Sequence, residues 1–381
     1  MQAAPPRLPD QIDPALAVWE YAGLMVTYWC NAKCAFCYVY SGPDRGGCLS
    51  TADATRMWRG LDELAARHGK SMRIHLAGGE PFGDWTQLVS IIRAARDAGL
   101  TRLEKVETNA FWATTDALTR ARLELLDALG MEKLIVSADV YHQEFIPFDR
   151  VQRCVEMARK VLGRGRVTVR WWDFFNRSTD GSGRPADLRR VNDDEKRAAF
   201  AEALDRHADR LTGRAADRLA EFFPHHAPDH FAGDNCIEPV LHSRHVHVDP
   251  YGNVFPGVCN GIILGNALER DVPALWQDLA ENWRDHPIVG PVVRGGSYAL
   301  FQAAEKLGYA PLPDGYANKC HLCQHVRQFL FERGGWERSV GPAECYANDR
   351  DKREAADWQR SGVQLTLAGR EASARNPSPT R

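Results

Sequence analysis

Three cysteines within eight residues, Cys30-Asn-Ala-Lys-Cys34-Ala-Phe-Cys37, stand directly after a β-rich run, and no other feature narrows the chain's fold and chemistry so far. A shuffled chain with ten cysteines would contain this spacing about 0.007 times, so chance is a poor account of it. Three thiolates on one tight loop can hold three irons of a [4Fe-4S] cluster and leave the fourth iron open to a ligand from outside. A zinc loop is the competing reading. Structural zinc wants four closed ligands, and the one candidate nearby is Cys48.

Composition narrows the setting of that loop. With 381 residues the chain has room for two or three domains and a large core. Lysine plus arginine number 48 against 50 aspartate plus glutamate, which leaves no global footprint for nucleic acid or an anionic membrane. A hydrophobic fraction of 44% and a charged fraction of 26% are those of a globular chain. No apolar run approaches the roughly 18 residues of a membrane span, and the start, MQAAPPRLPDQIDPALAVWE, lacks a basic stretch followed by an apolar core. The expectation is a cytoplasmic protein. There thiols stay reduced, so ten cysteines point to metal ligands or reactive groups before disulfides.

From residue 22 to about 174 short β-rich runs alternate with helical stretches. Strands are expected at 22–29, 72–78, 103–108, 133–139 and 166–174, and helices at 51–67, 84–98, 114–129 and 150–162. This alternation argues for right-handed βαβ units on a parallel sheet. A sixth strand is hard to place: 176–223 reads mainly as a charged helix, with a short strand at 218–223. Residues 245–257, HVHVDPYGNVFPG, read as a hairpin turning at Pro250 and Gly252. The expected divisions are a leader over 1–20, an α/β domain over 21–230, a second domain over 231–350 and a polar, disordered tail over 351–381 with at most a short helix.

The cysteine loop, with Phe36 before its last cysteine, resembles the signature of the radical SAM superfamily. In those enzymes S-adenosylmethionine (SAM) chelates the open iron, and its reductive cleavage yields a 5′-deoxyadenosyl radical. The resemblance continues in order along the chain. Gly78-Gly79-Glu80-Pro81, at the C-terminal end of the second strand where parallel folds place ligands, matches the GGEP motif that holds the methionyl amine. Thr108-Asn109 is similar to the TN(G) element, with Ala110 in place of glycine. Ser137 and Asp139, on one face, resemble the SxD ribose element, and Arg170 stands where relatives place a polar SAM or substrate contact. Helix capping by Asp139 and a surface ion pair for Arg170 are the plainer alternatives.

A second group, Cys236, Cys259, Cys320 and Cys323 around the hairpin glycine Gly252, resembles the auxiliary-cluster domain called SPASM or its shortened form, twitch. The resemblance implies four thiolates for one auxiliary [4Fe-4S] cluster; a zinc ribbon is the alternative. Cys345 either replaces Cys236 or is a buried thiol, and Cys154, in a helical stretch, is core. His245 and His247 share one strand face and could bind a metal, although hydrogen-bonded strand histidines are commoner. Asp139 and His142, in VSADVYHQEF, are the candidates for taking a proton from a substrate radical.

The expected architecture is thus a partial (β/α)6 radical SAM barrel followed by a twitch-like β-hairpin and helix domain. Its expected activity is an oxidoreductase's: hydrogen abstraction from a C–H bond of a small molecule or peptide, with the auxiliary cluster taking the second electron and a flavodoxin or ferredoxin as donor. A maturase that crosslinks or epimerises a ribosomal peptide is the rival, and a non-enzymatic iron-sulfur carrier the reading from another class.

Overall fold

The computed structural model describes residues 14–171, 175, 188–207, 210–257 and 259–361. Its frame is one eight-stranded sheet. The strands are β1 (Tyr21–Met25), β2 (Arg73–Ala77), β3 (Leu103–Thr108), β4 (Lys133–Ser137), β5 (Val167–Arg170), β6 (His245–Val248), β7 (Asn253–Pro256) and β8 (Gly265–Asn266). Their order is β5-β4-β3-β2-β1-β6-β7-β8, parallel from β5 through β6 and antiparallel over the last two pairings.

The helices that follow the first strands are α1 (Thr51–Arg67), α2 (Trp85–Asp97), α3 (Asp116–Ala128), the short α4 (Val140–Gln143) and α5 (Phe148–Val161). Each of the first three starts at a side-chain cap, Ser50, Asp84 and Thr115, which satisfies an otherwise orphaned backbone N–H. Ala22, Leu24, Ile74, Leu76, Val106, Leu134 and Val136 are buried. Alternation along each strand then turns the intervening polar residues, among them His75 and Glu107, to the opposite, concave face.

The hairpin departs from expectation. β6 does not open a separate sheet; it lies parallel to β1, with Gly23 beside His247 and Leu24 beside Val248. Among the described residues no strand pairs with the outer edge of β5, and the sixth parallel strand is on the other side of the sheet. An antiparallel hairpin signal is local, whereas the partner of its outer edge is set by packing that no pattern of 13 residues carries. The strand expected at 218–223 is also corrected: Arg218 ends a short helix and Ala220–Phe222 form a 3₁₀ turn. Residues 172–174, expected to end the fifth strand, lie outside the described residues, as do 1–13 of the leader.

After the sheet come α6 (Asp193–Arg206), α7 (Arg214–Arg218), α8 (Val272–Asn282), α9 (Val289–Glu305), α10 (Lys319–Arg333) and α11 (Asp349–Arg360). The last of these occupies the start of the stretch expected as a disordered tail. Its Trp358 is buried, with the guanidinium groups of Arg197 and Arg218 over the ring at 4.3 and 4.2 Å. One tryptophan packed between two arginines holds an otherwise charged helix to the body. Residues 362–381 lie outside the described residues.

Candidate active site

The cysteine loop leaves β1 at the C-terminal edge of the sheet. Its three thiols are close enough for their charges to interact. Cys30 and Cys34 are buried and Cys37 half-buried. Burial pushes the Cys30 thiol up to about 12 and raises the Cys34 thiol well above its ordinary value. Cys48 is exposed, and the charge it feels is that of Asp84, not of the three thiols. The loop therefore offers three sulfurs without the fourth that structural zinc requires, a donor set that fits a four-iron cluster with one open iron.

Two groups that sequence reasoning missed fix the loop's shape. Arg214, buried at the start of α7, donates to the carbonyls of Cys34 (3.3 Å) and Ser41 (2.8 Å), while its backbone N–H donates to Cys37 O (2.9 Å). The preceding Gly213 has φ +56, and a Cβ there would lie 2.3 Å from the carbonyl carbon of Tyr38, so that approach needs glycine. From the other end of the chain α11 crosses the loop: Lys33 pairs with Glu354 at 3.3 Å, and buried Arg45 pairs with Asp351. Nothing local in either segment announces a partner so far away in sequence.

The Gly-Gly-Glu-Pro turn ends β2 against the same loop. Gly79 N–H donates to Thr27 O (2.6 Å) and Glu80 N–H to Trp29 O (2.9 Å). A Cβ on Gly79 would lie 2.0 Å from the Trp29 carbonyl oxygen, which explains the glycine. Glu80 is buried and gathers the next element: its carboxylate accepts from Thr108 Oγ1 (2.8 Å), Asn109 N (2.7 Å) and Phe82 N (3.2 Å). Burial lifts its carboxyl to about 7 in spite of those donors. Asn109 donates through Nδ2 to Asn31 Oδ1 at 3.0 Å and lies 3.7 Å from Cys30 Sγ. Ala110 occupies the left-handed region, φ 65, the conformation that glycine takes without strain.

Asp139 follows β4. Its carboxylate caps α4 by accepting from His142 N (3.0 Å), and its second oxygen meets His142 Nδ1 at 2.7 Å. Burial pushes this carboxyl up, but the adjacent imidazole and its hydrogen bonds outweigh that and leave it below the usual range. Capping and the Asp139–His142 pair thus use the same side chain. Phe36 stacks on Tyr141 (5.1 Å) and meets His142 edge-on (5.2 Å), bringing the dyad to the cysteine loop. Ser137 stands in register with Arg170, whose guanidinium reaches Glu107 at 3.1 Å on the concave face.

The second cysteine group converges from three segments. Cys236 precedes a π-type turn, Cys259 follows β7, and Cys320 and Cys323 lie in the first turns of α10. Cys236 feels the charges of the other three. Cations surround them: Lys319 and Arg210 beside Cys320, and buried Arg327 beside Cys259 and Cys323. Arg327 also donates to Asn260 O (2.8 Å), Tyr346 OH (3.2 Å) and Gln324 Oε1 (2.8 Å), tying the turn after Cys259 to α10. Cys345 is buried, 3.6 Å from Tyr28 OH, and it too feels the charge of Arg327. Cys154 is buried in α5.

Residues 24–174 match the family model described as the Radical SAM superfamily. The chain thus carries a radical SAM domain. It is an enzyme, and its domain is one for SAM-dependent radical chemistry around a [4Fe-4S] cluster. Among solved structures it is similar to the crystal structure of BtrN in complex with AdoMet and 2-DOIA, with 18% identity, 71% of this chain and 87% of that one covered, and a TM-score of 0.41. It is similar also to native anSMEcpe with bound AdoMet and Cp18Cys peptide (13% identity, 90% and 97% covered, TM-score 0.39) and to native anSMEcpe with bound AdoMet (13%, 90% and 97%, 0.42). No curated protein matches. No helix among the described residues is long and apolar enough to cross a membrane.

Proposed function

We propose that the chain is a cytoplasmic radical SAM oxidoreductase with two four-iron clusters. Cys30, Cys34 and Cys37 would hold the first, and Cys236, Cys259, Cys320 and Cys323 the second. SAM bound at the open iron of the first cluster supplies, on one-electron reduction by a flavodoxin or ferredoxin, a carbon radical that takes hydrogen from a C–H bond. Glu80, Thr108 and Asn109 form a linked set at the strand ends that would seat the methionyl end of SAM, with Gly78, Gly79 and Pro81 shaping the backbone there. Ser137, Asp139, Arg170 and Phe36 are assigned to its adenosyl side.

His142, its Nδ1 held by Asp139, would accept the proton that a substrate radical sheds, because a carboxylate on one ring nitrogen leaves the other to act as base. The balance would then close: the substrate would give one hydrogen atom to the adenosyl carbon, one proton to His142 and one electron to a cluster that Cys236, Cys259, Cys320 and Cys323 would hold. The observation that carries this reading is the convergence of four thiols and three cations at the second site. Four thiolates there would ligate a cluster fully, and such a cluster would supply an electron acceptor that needs no ligand from the substrate.

The test is parallel measurement of 5′-deoxyadenosine and oxidised product with candidate small-molecule and peptide substrates. Cys34→Ala should lose both, whereas Cys320→Ala with Cys323→Ala should keep 5′-deoxyadenosine and lose the product. Undiminished product in a soluble double variant would rule out electron acceptance by the second site.

A further inference from the structure

The concave face of the sheet holds a group of side chains that neither cysteine site uses. His75 of β2 and His245 and His247 of β6 offer one ring nitrogen each, all within 4.8 Å of one another. β1 runs between these strands, whose backbones would stand roughly 9–10 Å apart across it. The rings of His75 and His247 nevertheless have centroids 5.5 Å apart. They lean together over Gly23, which is in register with both. A Cβ at Gly23 would lie 2.6 Å from His75 Nε2 and 2.4 Å from His247 Cδ2. The sequence omits a side chain at the one place where any side chain would keep the rings apart.

Hydrogen bonding leaves this cluster unfinished. His75 Nδ1, His245 Nε2 and His247 Nδ1 are buried with no partner. A buried nitrogen left unsatisfied is destabilising, and three in one cluster are costly as mere packing. The rings are also held in place. Tyr21 lies against His75 and His245 at 4.7 and 4.5 Å, and Tyr38 stacks on His247 at 6.0 Å. The Glu107 carboxylate, anchored by Lys105 at 3.0 Å and Arg170 at 3.1 Å, exerts its charge on all three rings. A cation placed among the rings would meet that negative charge, offset in part by Lys105, which acts on all three rings, and by Arg170, which acts on His75.

We propose that His75, His245 and His247 bind one divalent first-row transition ion, of which zinc is the representative, on the concave face of the sheet and apart from both cysteine sites. Three imidazoles are borderline ligands suited to zinc, cobalt or iron(II), and they leave the fourth position of a tetrahedral ion open to water or a substrate oxygen. Ligands at about 2.0–2.1 Å from such an ion stand roughly 3.3 Å from each other. The rings therefore close by at most about 1.5 Å on binding, within the reach of side-chain torsions. His245 and His247 share a strand face in the sequence. His75 joins them because β6 pairs with β1, a pairing that only the structure reveals.

The experiment uses the full chain with its iron loaded, given zinc and then freed of unbound ion. Metal analysis should find about one zinc per chain, and zinc-edge X-ray absorption should show imidazole nitrogen with no sulfur in the first shell. Retained zinc should fall by about tenfold or more in His245→Ala and in His75→Phe, the latter keeping an aromatic ring against Tyr21. No retained zinc, or a shell containing sulfur, overturns the proposal, as does unchanged sulfur-free binding in both variants. If either variant fails to fold, the wild-type stoichiometry and spectrum decide alone.

Discussion

The two cysteine sites are built on opposite plans. The first draws its thiols from one eight-residue loop and borrows only its clamps, Arg214 and α11, from distant chain. The second draws its thiols from three segments, and its clamp, Arg327, sits on α10 with two of them. A contiguous site keeps its ligands near one another even in the unfolded chain, whereas a dispersed site exists only once the surrounding fold has formed. Metal binding at the second would therefore be coupled to folding much more strongly than at the first.

Replacing each clamp is the severest way to break that comparison. Arg327→Met strands the Asn260 carbonyl and Gln324 Oε1 and leaves the Tyr346 hydroxyl with its bond to Gly261 O alone, at a cost of roughly 3–5 kcal/mol. It should lose about four irons per chain while 5′-deoxyadenosine formation persists. Arg214→Met frees the Ser41 carbonyl and leaves Cys34 O with the Cys37 N–H alone, at roughly 1–3 kcal/mol, and should do the reverse, ending SAM cleavage and sparing the second cluster. Iron content with a cleavage assay on both variants checks this. If either variant loses both clusters together, the sites are not independent.

A second effect is confined to the first site. Glu80 has a folded value of about 7 against an ordinary 4.5, so the folded state holds this proton more tightly than the unfolded one. The cost of ionising it is absent below about pH 4.5 and complete above about pH 7, on the order of 3 kcal/mol. Stability should thus fall across that window by more in the wild type than in Glu80→Gln, which carries no charge to bury. Denaturant unfolding at a series of pH values, taken as the difference between the two, measures it; parallel curves would show that Glu80 ionises freely.

What could be read from the sequence follows the same division. The first loop, the GGEP turn and the βα alternation are local patterns, and the observed strands overlap the expected 22–29, 72–78, 103–108, 133–139 and 166–174, although the first ends at Met25. The group Cys236, Cys259, Cys320 and Cys323 could be assembled only through a family resemblance, because no spacing rule joins segments so far apart. The pairing of β6 with β1, the reach of Arg214 and the docking of Trp358 lie beyond any local pattern, since each depends on which distant surfaces are left to be covered. Asp139 shows a different limit. Capping and ribose contact are both legible in SAD, and the structure shows the capping, with the His142 bond added.

The smallest effect concerns Ala110. A Cβ in the left-handed region costs about 1 kcal/mol, so Ala110→Gly should raise stability by that order and the melting temperature by a few degrees. A loss of stability would mean that the methyl group's packing, in a residue that is buried, outweighs the strain.

The central claim is that the chain holds two separately ligated four-iron clusters, and iron counting with Mössbauer spectroscopy on anaerobically reconstituted protein tests it most directly. Wild type should carry about eight irons per chain. The Cys30/Cys34/Cys37 variant and the Cys236/Cys259/Cys320/Cys323 variant should each retain about four, with the spectrum of the first showing a fully cysteine-ligated cluster. About four irons in the wild type, all lost with Cys30, Cys34 and Cys37, would contradict the account and reduce the second group to thiols or to a zinc site.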